Sequence, residues 1–340
     1  MLEITTYQMT VLALGAMAFG LLCLIKGGDW TVDSAAFVAE KSGLSKMFIA
    51  ATIVAFGTSA PELFTSINAN LSGYPGISLG NVVGSNIANV LMVIGLAAIV
   101  APIVIHRREA LVDVVIMLVA TAVLVAGMYA GIFPRWAGVL MFAFLVIYIA
   151  YQWSANKLLD TSEVDADIAD EAEFGSVGLA WLWLAVGIGT LVLGSELLVQ
   201  GAVAGGRALG VSEAVIGMTV VAFGTSLPEL SVCIQAARKA QFDTVVGGVV
   251  GSNIFNVLSI VGLTAVIKPL VVDEEFLGLD LLTVVLVTLV FAFALLASGR
   301  IGRTMGIVLV GGYFVFVGLQ YTTDLPPFLA FGAAEAAPAD

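Results

Sequence analysis

Charge is scarce in this chain. Only 11% of its 340 residues are Asp, Glu, Lys or Arg, and it holds one histidine and two cysteines. With one histidine and no G-x-S-x-G elbow, neither a metalloprotease nor a serine protease of the membrane is supported, and the chain is read as a non-enzyme. His106, beside Arg107 and Arg108 at the edge of an apolar run, reads as an interfacial residue. Cys23 and Cys233 both lie in apolar segments and read as small core residues, so they say nothing of compartment. Basic residues are outnumbered, 13 against 25 acidic, for a net charge of −12, and no basic patch interleaved with aromatics occurs. A nucleic-acid partner is therefore not expected. The opening "MLEITTYQMT" holds an acid and no basic residue, unlike a cleaved leader, so a retained first helix is expected.

What the chain has is apolar length. It is 60% hydrophobic with a mean hydropathy of +1.07, far above a soluble domain. A span takes about 20 apolar residues. Ten such runs are read: 8–27 continuing as far as 40, then 44–70, 77–100, 110–129, 134–153, 176–208, 212–237, 244–267, 276–297 and 301–320. The fold class is thus an all-α membrane protein with ten transmembrane helices. With the N-terminus outside, the cytoplasmic links carry Lys41, Lys46, Arg107, Arg108, Lys157, Arg238, Lys239, Arg300 and Arg303. The outer links carry only Arg135, Arg207 and Lys268. The excess of basic residues on one side predicts a multi-pass protein of the plasma (inner) membrane with both termini outside. The link 154–175 carries seven acids and reads as a solvated cytoplasmic linker, or as a weak regulatory cation site without the Gly turn and ligand order of an EF-hand. Residues 323–340 form a short tail.

The chain also repeats itself. "VAFGTSAPEL" at Val54 recurs as "VAFGTSLPEL" at Val221, and "VVGSNIANVL" at Val82 recurs as "VVGSNIFNVL" at Val249, both 167 positions later. Gly43 and Gly210, Gly95 and Gly262, Pro102 and Pro269, and the acids Asp29 and Glu196 keep the same register. Residues 1–153 and 176–322 are therefore two copies of one unit. Each holds five spans, an odd number, so the second enters the membrane from the opposite side. These are two inverted-topology five-helix repeats, an architecture that places a substrate site near the midplane on interrupted helices and suits a carrier.

The duplicated motifs carry oxygen chemistry. Pro61 has no N–H, which leaves the Gly57 carbonyl without its helical partner and loosens neighbours such as Ala55. Thr58 and Glu62 are four apart on one face, with Ser59 three from Glu62. Gly224, Thr225, Ser226, Pro228 and Glu229 repeat this set. Ser85 and Asn89, and their copies Ser252 and Asn256, are again four apart, while Gly80, Gly84, Gly247 and Gly251 permit close helix approach. The inventory is two carboxylates, hydroxyls, amide oxygens and carbonyls, with no His, Cys or Met. All-oxygen sets favour Ca²⁺, Na⁺ or Mg²⁺ over zinc or copper. An acid inside a membrane span costs at least about 2.5–3.5 kcal/mol, and two matched ones point to function. Lys26, Asp29 and Asp33, in the long first span, line a vestibule or pair locally; the five tryptophans read as interfacial or packing residues.

In these motifs, paired "GTSxPE" and "GSNxxN" in two inverted halves, the chain resembles the calcium/cation antiporter superfamily, and specifically its prokaryotic sodium/calcium exchanger-like branch. The resemblance covers nearly the whole chain. It implies Ca²⁺ countertransport driven by Na⁺ through a lipid bilayer, with no resident cofactor. Carried over by position, Glu62 and Glu229 are shared by the Ca²⁺ and Na⁺ sites, and Thr58 and Thr225 lend backbone carbonyls to Ca²⁺. Ser59, Ser85 and the Ala55 carbonyl serve Na⁺ in one half, as Ser226, Ser252 and the Ala222 carbonyl do in the other, and Asn89 and Asn256 complete the ring. Some members carry Asp where Asn256 stands. The protein is expected to function as a monomer. The expected mechanism is alternating access, the long first and sixth spans sliding at glycines such as Gly27, Gly28, Gly189 and Gly194. The alternative is a proton/divalent-cation exchanger on the same scaffold; a cation channel has less support, since no ring of filter residues is visible.

Overall fold

The computed structural model describes residues 6–105, 107–158, 176–208, 224–272 and 274–323. The expectations for His106, for residues 159–175 of the acidic link, for Ala222 and for the tail fall outside the described residues. The helices in order are α1 (Thr6–Ser42), α2 (Lys46–Thr58), α3 (Ala60–Leu71), α4 (Pro75–Val100), α5 (Arg107–Tyr129) and α6 (Arg135–Leu158), followed by α7 (Val177–Ala208), α8 (Leu227–Arg238), α9 (Phe242–Ile267), α10 (Leu279–Ser298) and α11 (Arg303–Thr323). Among the described residues eight helices are long and apolar enough to cross a membrane, or nine when the bent pair α2–α3 counts as one span. The expected ten differ by the run 212–237, whose residues up to 223 lie outside the described set; α8 is its remainder.

Helices α4 and α9 form the buried centre, and α1, α5, α6, α7, α10 and α11 surround them with apolar faces such as Phe293, Phe314 and Ile147 turned outward. An outward apolar face is what a bilayer solvates. The all-α expectation takes one small correction. Four two-residue strands are present: β1 (Ile103–Val104) pairs with β4 (Arg300–Ile301), and β2 (Ile132–Phe133) with β3 (Leu270–Val271), both antiparallel. Their cause is local. Pro102 and Pro269 push the preceding residue out of the helical region, and Ala101 and Lys268 are extended at φ −143° and −145°. The backbone groups released there need partners, and each short strand finds them in the other half of the chain.

The same exchange recurs in side chains. Arg135, opening α6, donates to the Ile267 carbonyl at the end of α9; Arg303, opening α11, donates to Ile99 and Val100 at the end of α4. A guanidinium on the free carbonyls of a helix C-terminus is favourable for both the hydrogen bonds and the helix dipole. So α6 of the first half braces α9 of the second, and α11 of the second braces α4 of the first.

The long helices α1 and α7 run antiparallel along a glycine seam. A Cβ on Gly20 would lie 2.7 Å from the Gly194 carbonyl, and one on Gly27 would lie 2.9 Å from the Gly187 carbonyl. Small residues here let the two backbones touch. Trp30 and Trp183 pack across the seam with ring centroids 5.1 Å apart. Helix α1 also docks on α8: Ser231 Oγ donates to the Leu24 carbonyl, Gln235 Nε2 to Ile25, and the Lys239 ammonium lies 2.7 Å from Asp33 and 3.2 Å from Asp29. Asp29 and Asp33 therefore pair across helices, not locally. On the matching face of α3, Phe64 and Leu71 are exposed among the described residues.

Candidate cation site

The repeated motifs are where the helices break. Between α2 and α3 the axis bends by 44°. Ser59 holds the bend at φ −85°, ψ 7°, and Ser226 stands before α8 at φ −86°, ψ 4°, the same conformation in the other copy. Pro61 and Pro228 sit in the first turn of α3 and α8, where a missing N–H costs nothing within the new helix. The cost falls on the preceding helix. In the second half the carbonyl that Pro228 cannot bond is that of Gly224, and Ser195 Oγ on α7 reaches it at 2.5 Å. Glu62 and Glu229 occupy those same first turns, where the positive end of the helix dipole favours a carboxylate.

Helices α4 and α9 widen at the second motif. Residues Asn89–Ile94 and Asn256–Val261 are π-helical, and in each case the turn begins at the motif asparagine. Residues Ala50–Val54, just ahead of the first motif, are π-helical as well. Single π turns inside α-helices are frequent at functional sites because they re-aim side chains and loosen the backbone ladder.

The motif side chains converge from both halves. Ser59 Oγ donates to Glu229 Oε1 at 3.0 Å. Glu62, Glu229, Thr58, Ser59, Ser85, Asn89, Ser226, Ser252 and Asn256 are all buried, and Thr225 is half-buried. Nine buried side-chain oxygens have no hydrogen-bond partner among the described residues, and six of them belong to the two motifs: Glu62 Oε2, Asn89 Oδ1, Ser226 Oγ, Glu229 Oε2, Ser252 Oγ and Asn256 Oδ1. Each such orphan costs about 1–3 kcal/mol, more for a charged group. Six gathered at the repeated motifs, two from the first half and four from the second, are a site for something positive. The donors are all oxygen, with two carboxylates among them, and that suits a hard cation.

Of the expected carbonyl ligands, that of Ala55 accepts from the Ser59 amide at 3.0 Å and from Thr58 Oγ1 at 3.3 Å. Ala222, its counterpart, is outside the described residues.

Three asparagines that sequence reasoning passed over take part. Asn81 Nδ2 donates to the Glu62 carbonyl at 3.1 Å and to Ser66 Oγ at 2.9 Å, which pins the start of α3 to α4. Asn253 Oδ1 accepts from Asn89 Nδ2 at 3.0 Å, and Asn86 Oδ1 accepts from Asn256 Nδ2 at 2.9 Å. Asn86 and Asn253 stand inside the repeated "GSN", so the repetition itself was a signal; which way they face depends on the partner helix.

Comparison with known proteins agrees with this geometry. The chain is 30% identical to the inner membrane protein YrbG of Escherichia coli K12 over 316 residues, covering 92% of this chain and 97% of that one. It is 31% identical to the sodium/calcium exchanger MaX1 of Methanosarcina acetivorans, covering 88% and 96%. Its fold superposes on the solved sodium/calcium exchanger of Methanococcus jannaschii with a TM-score of 0.77 at 30% identity, covering 91% and 98% of the two chains. The family model described as sodium/calcium exchanger protein matches residues 12–154 and 179–322 separately, one match for each half. With both halves matched and the whole fold shared, the chain belongs to the sodium/calcium exchanger family of integral membrane antiporters.

Proposed function

We propose that this chain exchanges Ca²⁺ for Na⁺ across the inner (plasma) membrane by alternating access, with both ions bound between Glu62 and Glu229. One observation carries the reading: six buried oxygens without partners among the described residues lie on the repeated motifs, with the matched pairs Glu62 and Glu229, and Asn89 and Asn256, among them. Two carboxylates neutralise one Ca²⁺ or two Na⁺. The same atoms therefore serve either ion but not both at once, which is the elementary requirement of exchange. Ca²⁺ takes about 6–8 oxygens in flexible geometry. Glu62, Glu229 and the carbonyls of Thr58 and Thr225 supply part of that shell, and Asn89 and Asn256 stand beside it. Na⁺ is assigned to Ser59, Ser85 and the Ala55 carbonyl with Glu62, and to Ser226, Ser252 and the Ala222 carbonyl with Glu229. The names of the Methanosarcina and Methanococcus relatives support the choice of ions.

The architecture in this reading is ten spans in two inverted halves, the seventh completed by residues 209–223, with a cytoplasmic acidic linker, both termini outside, and the monomer as the working unit. The inverted relation is supported by the pairing of Gly20 with Gly194 and of Gly187 with Gly27, which a shift of 167 positions exchanges. In the present conformation α1 covers α8, and among the described residues nothing covers the exposed Phe64 and Leu71 on the corresponding face of α3. With the proposed orientation, the path to the site is sealed on the cytoplasmic side and open along α3. The opposite state places α7 on α3 and frees α8, with the seam keeping α1 and α7 together.

The test is ⁴⁵Ca²⁺ flux in proteoliposomes with sodium and pH gradients varied independently. Flux that follows the sodium gradient and is lost in Glu62→Gln and in Glu229→Gln is expected. Flux that follows pH and ignores sodium selects proton coupling, and flux without countertransport selects a channel.

A further inference from the structure

We propose that Asn86 and Asn253 are positioning residues that hold the amide oxygens of Asn256 and Asn89 toward the bound cation. The proposal rests on the cation-site reading above and adds what makes the two central amides selective for positive charge.

A primary amide has two ends of nearly equal size and opposite polarity: C=O accepts, NH₂ donates. Packing alone therefore cannot choose which end of Asn89 faces the site. A wrong choice would point two N–H groups at a cation. In the structure each central amide is fixed by one hydrogen bond from its NH₂ group. Asn89 Nδ2 donates to Asn253 Oδ1 at 3.0 Å, and Asn256 Nδ2 donates to Asn86 Oδ1 at 2.9 Å. With the nitrogens so occupied, Asn89 Oδ1 and Asn256 Oδ1 are the ends left without a partner, and both are buried. All four asparagines are at most 2% exposed, so no water competes for these bonds.

The positioning residues are themselves constrained. Asn253 Nδ2 faces the thioether of Met117 on α5 at 3.9 Å. Turning the Asn253 amide would set its NH₂ against the NH₂ of Asn89, donor on donor. The bonds also cross between halves: α9 orients the amide of α4, and α4 orients that of α9. A shift of 167 positions exchanges the two bonds, so one rule serves both copies. Asn86 and Asn253 each use the carbonyl to hold the NH₂ group of the partner amide. Their effect on the cation runs through Asn256 and Asn89.

The decisive experiment is a double-mutant cycle read on Ca²⁺ binding to purified protein and on the half-saturating Ca²⁺ concentration of exchange. Asn253→Leu keeps the volume and removes the acceptor. It is expected to raise the half-saturating concentration by about 10–100-fold, the usual effect of losing a group that orients a metal ligand, with a smaller change in maximal rate. In Asn89→Asp both terminal atoms are oxygens, so orientation no longer matters. Adding Asn253→Leu to that background is expected to change the half-saturating concentration by less than about threefold, a non-additivity that a merely structural role would not give. Asn86→Leu with Asn256→Asp is the matching cycle. Equal cost in both backgrounds overturns the proposal. So does a half-saturating concentration that stays put in Asn253→Leu while the cation-free melting temperature falls. A parent protein that binds no cation in the same assay overturns the site reading, and this proposal with it.

Discussion

Ser59 and Glu229 lie 170 positions apart and are joined by one buried hydrogen bond, 3.0 Å from Ser59 Oγ to Glu229 Oε1. The hydroxyl belongs to the break in the first half and the carboxylate to the break in the second. The bond therefore spans the line along which the halves meet, and it satisfies one oxygen of Glu229 while leaving the other, Oε2, free.

Ser59→Ala removes that donor from a buried carboxylate. A hydrogen bond to a charged group contributes about 1.5–3 kcal/mol, equivalent to about 10–100-fold in an equilibrium constant. The half-saturating Na⁺ concentration for exchange is expected to rise by at least about tenfold, measured in proteoliposomes at fixed Ca²⁺. An unchanged value would remove Ser59 from the Na⁺ site.

Two engineered disulfides separate the motions that transport needs from those it does not. Both are made with Cys23 and Cys233 replaced by alanine. A Cβ at Gly205 would lie 3.6 Å from that of Ala13, within the usual range of about 3.5–4.5 Å for a disulfide. Ala13→Cys with Gly205→Cys therefore ties α1 to α7, which stay together in the proposed cycle, and exchange is expected to survive oxidation. Gly28→Cys with Ser231→Cys ties α1 to α8, where a Cβ on Gly28 would lie 2.7 Å from Ser231 Oγ. Oxidation of this second pair is expected to stop exchange, and reduction to restore it. Full activity of the oxidised second pair would mean that α1 does not leave α8 during transport.

The clamp of Lys239 on Asp33 and Asp29 exists in one half only. The positions equivalent to these three are Ser72, Gln200 and Glu196, and there Gln200 bonds Glu196 within its own helix at 2.9 Å. Partial burial lowers the affinity of the Lys239 ammonium for its proton, but Asp33 and Asp29 outweigh it and hold the value above the ordinary 10.5. A raised lysine contributes its full stabilisation below the unfolded value and loses it only as pH rises through the folded one, so the clamp is insensitive to pH across about pH 6–9. Partly exposed pairs contribute about 0.2–1 kcal/mol. Lys239→Gln is accordingly expected to raise the labelling rate of a Ser231→Cys reporter by about two- to fivefold, and high salt to narrow the difference. Equal labelling of both proteins, with identical salt dependence, would show that the ion pair does not bias the conformation.

Helix α9 approaches α2 as closely as backbone allows. A Cβ on Gly251 would lie 2.4 Å from the Ala51 carbonyl, and one on Gly247 would lie 2.7 Å from that of Met47. Gly251→Ala is expected to cost about 1–3 kcal/mol of stability through overpacking, seen as a lower melting temperature in detergent. Gly311→Ala on α11, with nothing within 4 Å of the added Cβ, is expected to be neutral or slightly stabilising. Equal effects of the two would contradict the close approach.

The breaks at Pro61 and Pro228, the burial of both glutamates and the long apolar helices were readable along the chain because each follows from local chemistry: a missing N–H, a run of apolar residues, a repeated motif. What escaped was set by contact between halves. That Ser195 serves the Gly224 carbonyl, that Arg135 and Arg303 reach the ends of α9 and α4, and that Asn86 and Asn253 orient Asn256 and Asn89 all depend on partners more than 28 positions distant. The glycines divide in the same way. Gly27 and Gly194 lie in the α1–α7 seam and Gly28 faces α8, while Gly189 has nothing within 4 Å of its added Cβ. Spacing along one strand of sequence carried no sign of that difference.

The central claim is that the unpartnered oxygens around Glu62 and Glu229 hold the exchanged cation. Equilibrium binding of ⁴⁵Ca²⁺ to the purified protein, with Na⁺ as competitor, tests it most directly. The expected result is saturable Ca²⁺ binding that Na⁺ displaces and that Glu62→Gln and Glu229→Gln each abolish or weaken by at least about tenfold. Ca²⁺ binding of parental strength in both variants, or binding that Na⁺ does not displace, would contradict it.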